Sequence, residues 1–455
     1  MTPYSQEAIY IKEFSARTRN KELSELNGKH FQVAIIGGGI TGAGLANILA
    51  ENGISTALFD KADFASGTSA GSSKLIHGGL RYLQQGKLGL TRELLKEREY
   101  LLKTTDIVQK LDFRVLIDEY SWGKGELTLG IFLYNVLAGH LKVQKMVKDN
   151  LGIPGVRGYF PYYDGLTEDT ELVMYNITYA HDRGATCLNY TEITGITKVD
   201  GGYSLEYSDR YGVKSGKIIA DVVVNCGGPW AKRIRDLYDR NGPKNFSLSK
   251  GIHVIVDRKN LNMDYAIAFR SHLDKRQLFI IPREKVVIIG TTDKFVDSPD
   301  DFSVPDEDID YLVNSVRRLF PSISRDKVIG TFSGIRPLFG SGDDPGKISR
   351  DFHIDSSAGI IDIYGGKLTS YRAIARKVAR IVASELKISI KTKGLPLLGY
   401  SRPRDGSRIR HEALYECPLY PEDIALRREA AQIYNPSALP KIMEEAKTVL
   451  RSMGK

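Results

Sequence analysis

The first strongly patterned stretch is FQVAIIGGGITGAGLANILAENGISTALFDKADF. An apolar strand over Val33–Ile36 runs into a glycine-rich turn. A helix of small and apolar residues follows to about Asn52, and a second strand, Ser55–Phe59, ends at Asp60. This spacing predicts a complete βαβ beginning. Upstream, residues 1–29 read as a polar, helix-prone leader. Downstream, 65–85 is rich in Gly and Ser and predicts an extended loop, while Leu90–Gln109 carries apolar residues at helical spacing and predicts an amphipathic helix. Helix and strand alternate again over 172–225, closing on the apolar strand KIIADVVVNCGG. Residues 250–293 change character: HVIVD, LFIIP and KVVIIGTTD predict short strands of an antiparallel sheet.

A helical run follows from Asp306 to Phe320, then the strand-like TFSGIRPLF and GIIDIYGGK. The helix LTSYRAIARKVARIVASEL has apolar positions 368, 371, 374, 378, 381, 382 and 386 on one face. The fold class is therefore α/β: a Rossmann-like nucleotide-binding domain with an inserted mixed or antiparallel β-sheet substrate domain and a short helical C-terminal extension. Its approximate division assigns 30–110, 170–230 and 330–390 to the nucleotide domain. It assigns 111–169 and 231–329 to the substrate domain, and 391–455 to the helical C-terminal region.

Composition narrows the function. A net charge of +9 over 455 residues suits anionic substrates or an anionic membrane surface. The cations are not gathered into blocks or an aromatic-interleaved stripe, which argues against nucleic acid. Cys187, Cys226 and Cys417 stand far apart, so the chain carries no cysteine-rich metal site or iron–sulfur cluster and suits a reducing compartment. No apolar signal core marks the first 30 residues. The longest nearly uncharged run, Leu127–Leu141, is 15 residues where a spanning helix needs roughly 20, so it predicts a buried helix. Lys142, Lys145 and Lys148 follow it, a layout that a membrane-surface protein also uses.

The chemistry starts at Gly37-x-Gly39-x-x-Gly42. Gly37 permits the sharp turn out of the strand, Gly39 lets the backbone approach a pyrophosphate, and Gly42 lets the helix pack on the sheet. Asp60, 18 residues after Gly42, stands where a carboxylate accepts from a ribose diol, and its charge argues against a 2′-phosphate. This motif serves NAD and FAD alike. The small-residue loop ASGTSAGSSKLIHGGLRYL, with apolar Leu75, Ile76, Leu80 and Leu83, favours burial against an isoalloxazine ring.

IIGGGITGAG, SSKLIHGGLRYL, NCGGPW, KGIHVIV, IIGTTD, SGIRPL and GGKLTSYR together resemble the FAD-dependent glycerol-3-phosphate dehydrogenases, within the wider D-amino-acid-oxidase-like flavoproteins. The resemblance runs from about residue 14 to about residue 385. It implies FAD as cofactor, held by Gly37, Gly39, Gly42, Asp60, Thr68, Ser69, Ser73, Lys74, Leu75, His77, Gly227, Gly228, Gly334, Gly366, Lys367, Leu368 and Thr369. It implies glycerol 3-phosphate as substrate, with Arg81, Tyr82 and Arg336 as its contacts and Lys367 close to both substrate and flavin. Arg binds phosphate in a bidentate fork. His253 becomes the candidate base and His77 an orienter of the flavin loop. Thr292 and Asp293, with Thr291, either line the pocket or end a strand. Gly365 and Gly366 are expected to begin the 368–386 helix, whose positive end would face charge on the reduced flavin.

The resemblance further implies a membrane quinone as acceptor, a homodimer, and a cytoplasmic protein peripheral to the inner face of the cell membrane. An oxidase using O2, an amine or amino-acid oxidase of the same fold, and a non-catalytic flavin-bound scaffold stand as alternatives. Two departures stand out. Ile252 replaces a more usual small polar residue, which is expected to alter the pocket floor. The helical region after 395, with its HEALYECPLYPEDIALRREA, is expected to be a reduced form of the family's C-terminal domain.

Overall fold

The computed structural model describes residues 12–453 apart from 85, 142, 213, 240–241, 244, 347, 349–350 and 393–407. Two sheets carry the architecture. The first is built on the strand His30–Ile36, which pairs in parallel with Thr56–Phe59 on one side and Ser215–Asn225 on the other. Thr186–Leu188 extends one edge and Ile360–Gly365 the other, both parallel. A hairpin of Thr191–Val199 and Gly202–Asp209 joins antiparallel to Ser215–Asn225. Strands of Val, Ile, Leu and Ala buried on both faces are what a helix-covered parallel sheet requires. One face holds Val33 and Ile35 against the helices Ile40–Glu51, Asp169–Asp182 and Tyr371–Glu385. Gly44 permits the close crossing of two of them, since a Cβ there would stand 2.6 Å from the Tyr371 ring.

The second sheet has nine strands. Its centre is Phe246–Asp257, antiparallel to Val286–Gly290, to Lys294–Val296 and, along nearly its whole length, to Val328–Phe339. Gln277–Pro282, Ala266–Arg270, Val108–Ile117, Gly158–Thr167 and Leu75–Ile76 continue it. Val328–Phe339 thus belongs to the second sheet, although most of it lies in the stretch assigned from sequence to the nucleotide domain. Period-two alternation sorts the central strand: Ile252, Val254 and Val256 pack beneath the helix Asp306–Arg317, while Ile255 joins the core on the opposite face.

Several expectations shift. The helix read as Leu90–Gln109 is Leu88–Thr104, and Val108 already begins a ten-residue strand. Thr105 caps the helix, a turn at Asp106–Ile107 leads into β-branched Val108, and pairing with Gly158–Thr167 overrides helical spacing. The supposed loop over 65–85 contains the strand Leu75–Ile76 and the short helix Leu80–Gln84. The uncharged run forms the helix Lys124–Leu137, with Leu127, Ile131 and Tyr134 buried but Leu129 59% exposed. Among the described residues no helix is long and apolar enough to cross a membrane.

From residue 12 onward the leader is an integral part of the fold. Its helix, Ala16–Ser24, sinks Leu23 and Arg19 into the protein, where Arg19 pairs with Asp209 at 2.5 Å and with Asn189. Ile252 is fully buried under the second sheet and is absent from the pocket floor.

Candidate functional site

Between the strand and helix of the first βαβ unit lies the glycine turn. Gly37 has φ +113°, and a Cβ there would lie 2.4 Å from the Cys226 carbonyl oxygen. A Cβ on Gly42 would stand 2.0 Å from the Gly37 oxygen, so the helix can seat on the turn only without a side chain. Gly39 differs: its Cβ would meet Ser69 Oγ at 3.2 Å and nothing else within 4 Å, an open face where a pyrophosphate could approach the backbone.

Ser69 Oγ accepts from the Ile40 N–H, at the mouth of the helix. Asp60 accepts from the Gly38 N–H at 2.7 Å and the Ala62 N–H at 2.9 Å, one on each oxygen, which leaves lone pairs for a diol. Burial pushes its carboxyl up to about 6. On the far side Gly227 and Gly228 carry the chain out of the strand into a short 3-10 turn, and Trp230 of that turn lies against Gly67. These features fit a dinucleotide such as FAD.

From this cradle a cavity of about 210 Å³ opens between the two sheets. It gathers Thr68, Ser73, Leu75, His77, Tyr82, Thr292, Asp293, Gly334, Arg336, Gly366, Lys367, Leu368 and Thr369, thirteen of the positions singled out from sequence. They come from the glycine-serine loop, the second sheet and the segment after Ile360–Gly365. Three bonds tie these pieces together. Thr68 Oγ1 donates to the Ile335 carbonyl at 2.5 Å, the His77 N–H to Thr369 Oγ1 at 3.0 Å, and the Ile252 N–H to Thr292 Oγ1 at 3.1 Å. Gly71 and Gly334 meet backbone to backbone, where a Cβ on Gly334 would stand 2.3 Å from the Gly71 oxygen.

Arg336 donates to Asp293 at 3.1 Å and to Thr291 Oγ1 at 3.1 Å. Gly251 on the neighbouring strand makes room for it, as a Cβ there would stand 2.1 Å from the guanidinium. Thr292 and Asp293 lie in the connection between the strands Val286–Gly290 and Lys294–Val296 and line the cavity. The Lys367 ammonium sits 4.5 Å over the Tyr82 ring. The side chain of Arg81 lies outside the described residues.

Three positions are placed differently from expectation. His253 is 1% exposed and stands behind the cavity wall, with Nε2 2.8 Å from Ser73 Oγ and its ring stacked on Phe332. Burial, followed by the charges of Arg336 and Lys74, drives its pKa well below the ordinary range, so the imidazole is neutral. The Lys74 side chain is buried in an ion pair with Asp169 at 2.5 Å and does not line the cavity. The helix expected from residue 368 begins at Tyr371. Gly365, at φ +78°, ends the strand Ile360–Gly365, Gly366 follows at φ +95°, and Lys367–Ser370 then makes a turn in which the Ser370 N–H donates to the Lys367 carbonyl, so the glycine N–H groups lie outside the helix's first turn.

Tyr162, Asp164, Arg276, Gln277 and Phe279 also line the cavity and carried no local signal. Asp164 accepts from Tyr134 at 2.6 Å and from the buried Arg98 at 2.8 Å, and thereby supports the Gly78 backbone. Sheet pairing alone brings it there.

Comparison with known proteins bears on this geometry. The family model described as FAD dependent oxidoreductase matches residues 32–381. The aerobic glycerol-3-phosphate dehydrogenase of Staphylococcus haemolyticus is 35% identical over 416 residues, covering 84% of this chain and 74% of that protein. The glycerol-3-phosphate dehydrogenase of Bacillus halodurans, solved with FAD, superposes with a TM-score of 0.76 at 26% identity, over 96% of this chain and 97% of that one. The L-alpha-glycerophosphate oxidase of Mycoplasma pneumoniae, at 17% identity, shares the fold, with a TM-score of 0.65 over 82% of this chain and 100% of that one. With its dinucleotide cradle and cation-bearing cavity, the chain belongs to the FAD dependent oxidoreductases and, among them, to the glycerol-3-phosphate dehydrogenase family.

Proposed function

We propose that the protein oxidises sn-glycerol 3-phosphate to dihydroxyacetone phosphate and passes the electrons to a membrane quinone. The observation that carries this reading is Arg336, a cation set into the wall of the cavity that Lys367 and Tyr82 also line. A small dianion needs such a clamp, whereas an amino acid needs one carboxylate contact and room for a neutral amine. The guanidinium presents a fork to the phosphate while Asp293 and Thr291 hold its plane. FAD, when bound, supplies the hydride acceptor. Leu75, Leu368 and Tyr82 give the cavity apolar walls, which disfavour water beside a bound substrate.

The hydroxyl proton needs an acceptor that touches the cavity. His77 lines it, while His253 reaches it only through Ser73 Oγ and, held neutral, is a weak base. We assign the proton to His77 and the support of Ser73 to His253. His77→Asn is then expected to slow anaerobic flavin reduction about 10²- to 10⁴-fold, and His253→Asn far less. Rapid mixing measures both, and the reverse ranking returns the role to His253.

For the acceptor, exposed Leu129, Leu141, Val143 and Val147 lie on or just after the helix Lys124–Leu137, close to Lys145 and Lys148. An apolar and basic segment of this kind supports peripheral attachment to the anionic inner face of the cell membrane. The deciding experiment is the anaerobic absorbance spectrum with added glycerol 3-phosphate. Prompt bleaching is expected, followed by reoxidation by a quinone without peroxide. Bleaching with glycine instead moves the protein to the amine oxidases, and peroxide formation makes it an oxidase.

A further inference from the structure

The ribose-binding aspartate sits on a loop that is anchored from an unexpected quarter. Residues 60–66 wrap beneath the glycine turn: the Ala65 N–H donates to the Gly38 carbonyl, and the Phe64 ring fills the space below Gly38, where a Cβ would stand 2.6 Å from it. Asp63, at the middle of this loop, is fully buried and ionic. Asn189 reaches it from the first sheet at 3.0 Å. Its charge partners come from the C-terminal segment: Arg427 Nε at 2.7 Å and Arg428, which binds both carboxylate oxygens, one at 3.0 Å. Both arginines sit on a single π-helical turn, Asp423–Arg428. That turn is fixed in place by Tyr190, whose hydroxyl donates to Asp423 at 2.6 Å and whose N–H donates to the Ala62 carbonyl. Thr170 Oγ1 adds a bond to the Arg427 carbonyl, and Arg428 also meets Glu416.

We propose that the C-terminal segment is a cofactor clasp, in which Arg427 and Arg428 act through Asp63 to position the 60–66 loop and keep Asp60 in its ribose-accepting state. They are positioning residues and touch no substrate. The inference rests on FAD occupying the glycine cradle, and it is independent of which alcohol is oxidised.

Electrostatics gives the clasp a second effect. Asp60 is faced by Lys61 on its own loop and by Asp63, whose negative charge opposes its ionisation. Lys61 in turn faces Asp300, Glu192 and Arg233. Burial by itself would raise Asp63, but Arg428 and Arg427 outweigh it and hold the carboxyl below its usual range. Asp423, within the same cluster, is raised by burial and by Asp63. Ribose hydroxyls donate to a carboxylate, so they favour ionised Asp60. FAD binding is therefore full above the free protein's Asp60 pKa of about 6 and weakens as pH falls through it, up to tenfold per pH unit. Removing an arginine leaves Asp63 uncompensated, raises Asp60 further and moves this loss to higher pH.

The test is FAD release from the holoprotein, read by flavin fluorescence on dilution between pH 5 and 8, without substrate. Arg428→Met is expected to weaken FAD binding at least tenfold at pH 7 and to shift the release midpoint upward, and Arg428→Lys is expected to recover part of both. Arg427→Gln alters a side chain that is 19% exposed, where Arg428 is fully buried, and keeps a hydrogen-bonding head group; it is expected to act in the same direction with smaller size. An Arg427→Gln protein that melts lower with and without FAD by equal amounts, with unchanged affinity and release midpoint, would overturn the proposal and leave the cluster a plain structural contact.

Discussion

Replacing Arg336 with alanine is expected to cut the rate constant for flavin reduction per concentration of glycerol 3-phosphate by about 10²- to 10⁴-fold while leaving FAD bound. The magnitude follows from losing two charged hydrogen bonds to phosphate, each worth about 1.5–3 kcal/mol. A stability cost accompanies it. Asp293 is only 5% exposed and loses its 3.1 Å partner, while Arg276 stands farther off, at 3.8 Å. Arg336→Lys should recover little, because a point charge cannot reproduce a planar fork held by both Asp293 and Thr291. Anaerobic rapid mixing reports the rate, and the flavin spectrum reports retention of the cofactor. Bleaching at the unaltered rate would remove Arg336 from the substrate site.

Gly42→Ala should yield protein purified without flavin. The added methyl would stand 2.0 Å from the Gly37 oxygen and 3.2 Å from Ile35. Neither neighbour can yield cheaply: one is backbone in a turn at φ +113°, the other a buried strand residue. The helix must lift from the turn, at a cost of about 1–3 kcal/mol. Lifting also carries the Ile40 N–H away from Ser69 and widens the mouth where the pyrophosphate would sit. The control is Gly125→Ala, on a helix where a Cβ meets nothing within 4 Å, which should keep its flavin and melt no lower. Absorbance ratio and melting temperature read both variants, and full flavin content in Gly42→Ala would sink the argument.

The sequence alone determined those parts of the molecule whose physics is local. The glycine spacing 37–39–42 with Asp60 at the end of the next strand defines a cradle, because a turn, a close backbone approach and a helix seat each demand glycine at one position. Period-two runs such as HVIVD and KVVIIG announced the second sheet for the same reason, since alternation is set by the pleat. The cavity residues from the glycine-serine loop and from IIGTTD, SGIRPL and GGKLT were legible through resemblance, and thirteen of them converge.

Tertiary structure decided what depends on long-range neighbours. Whether His253 touches substrate is set by the loop laid across it, and Ser73 and Phe332 place it behind the wall. Whether Lys74 serves a cofactor or an ion pair depends on Asp169, 95 residues away. The cluster around Asp63 draws on residues more than 360 positions distant. A charge in the sequence shows only that it must be solvated or paired, since burying it alone is too costly, and the partner is chosen by the fold.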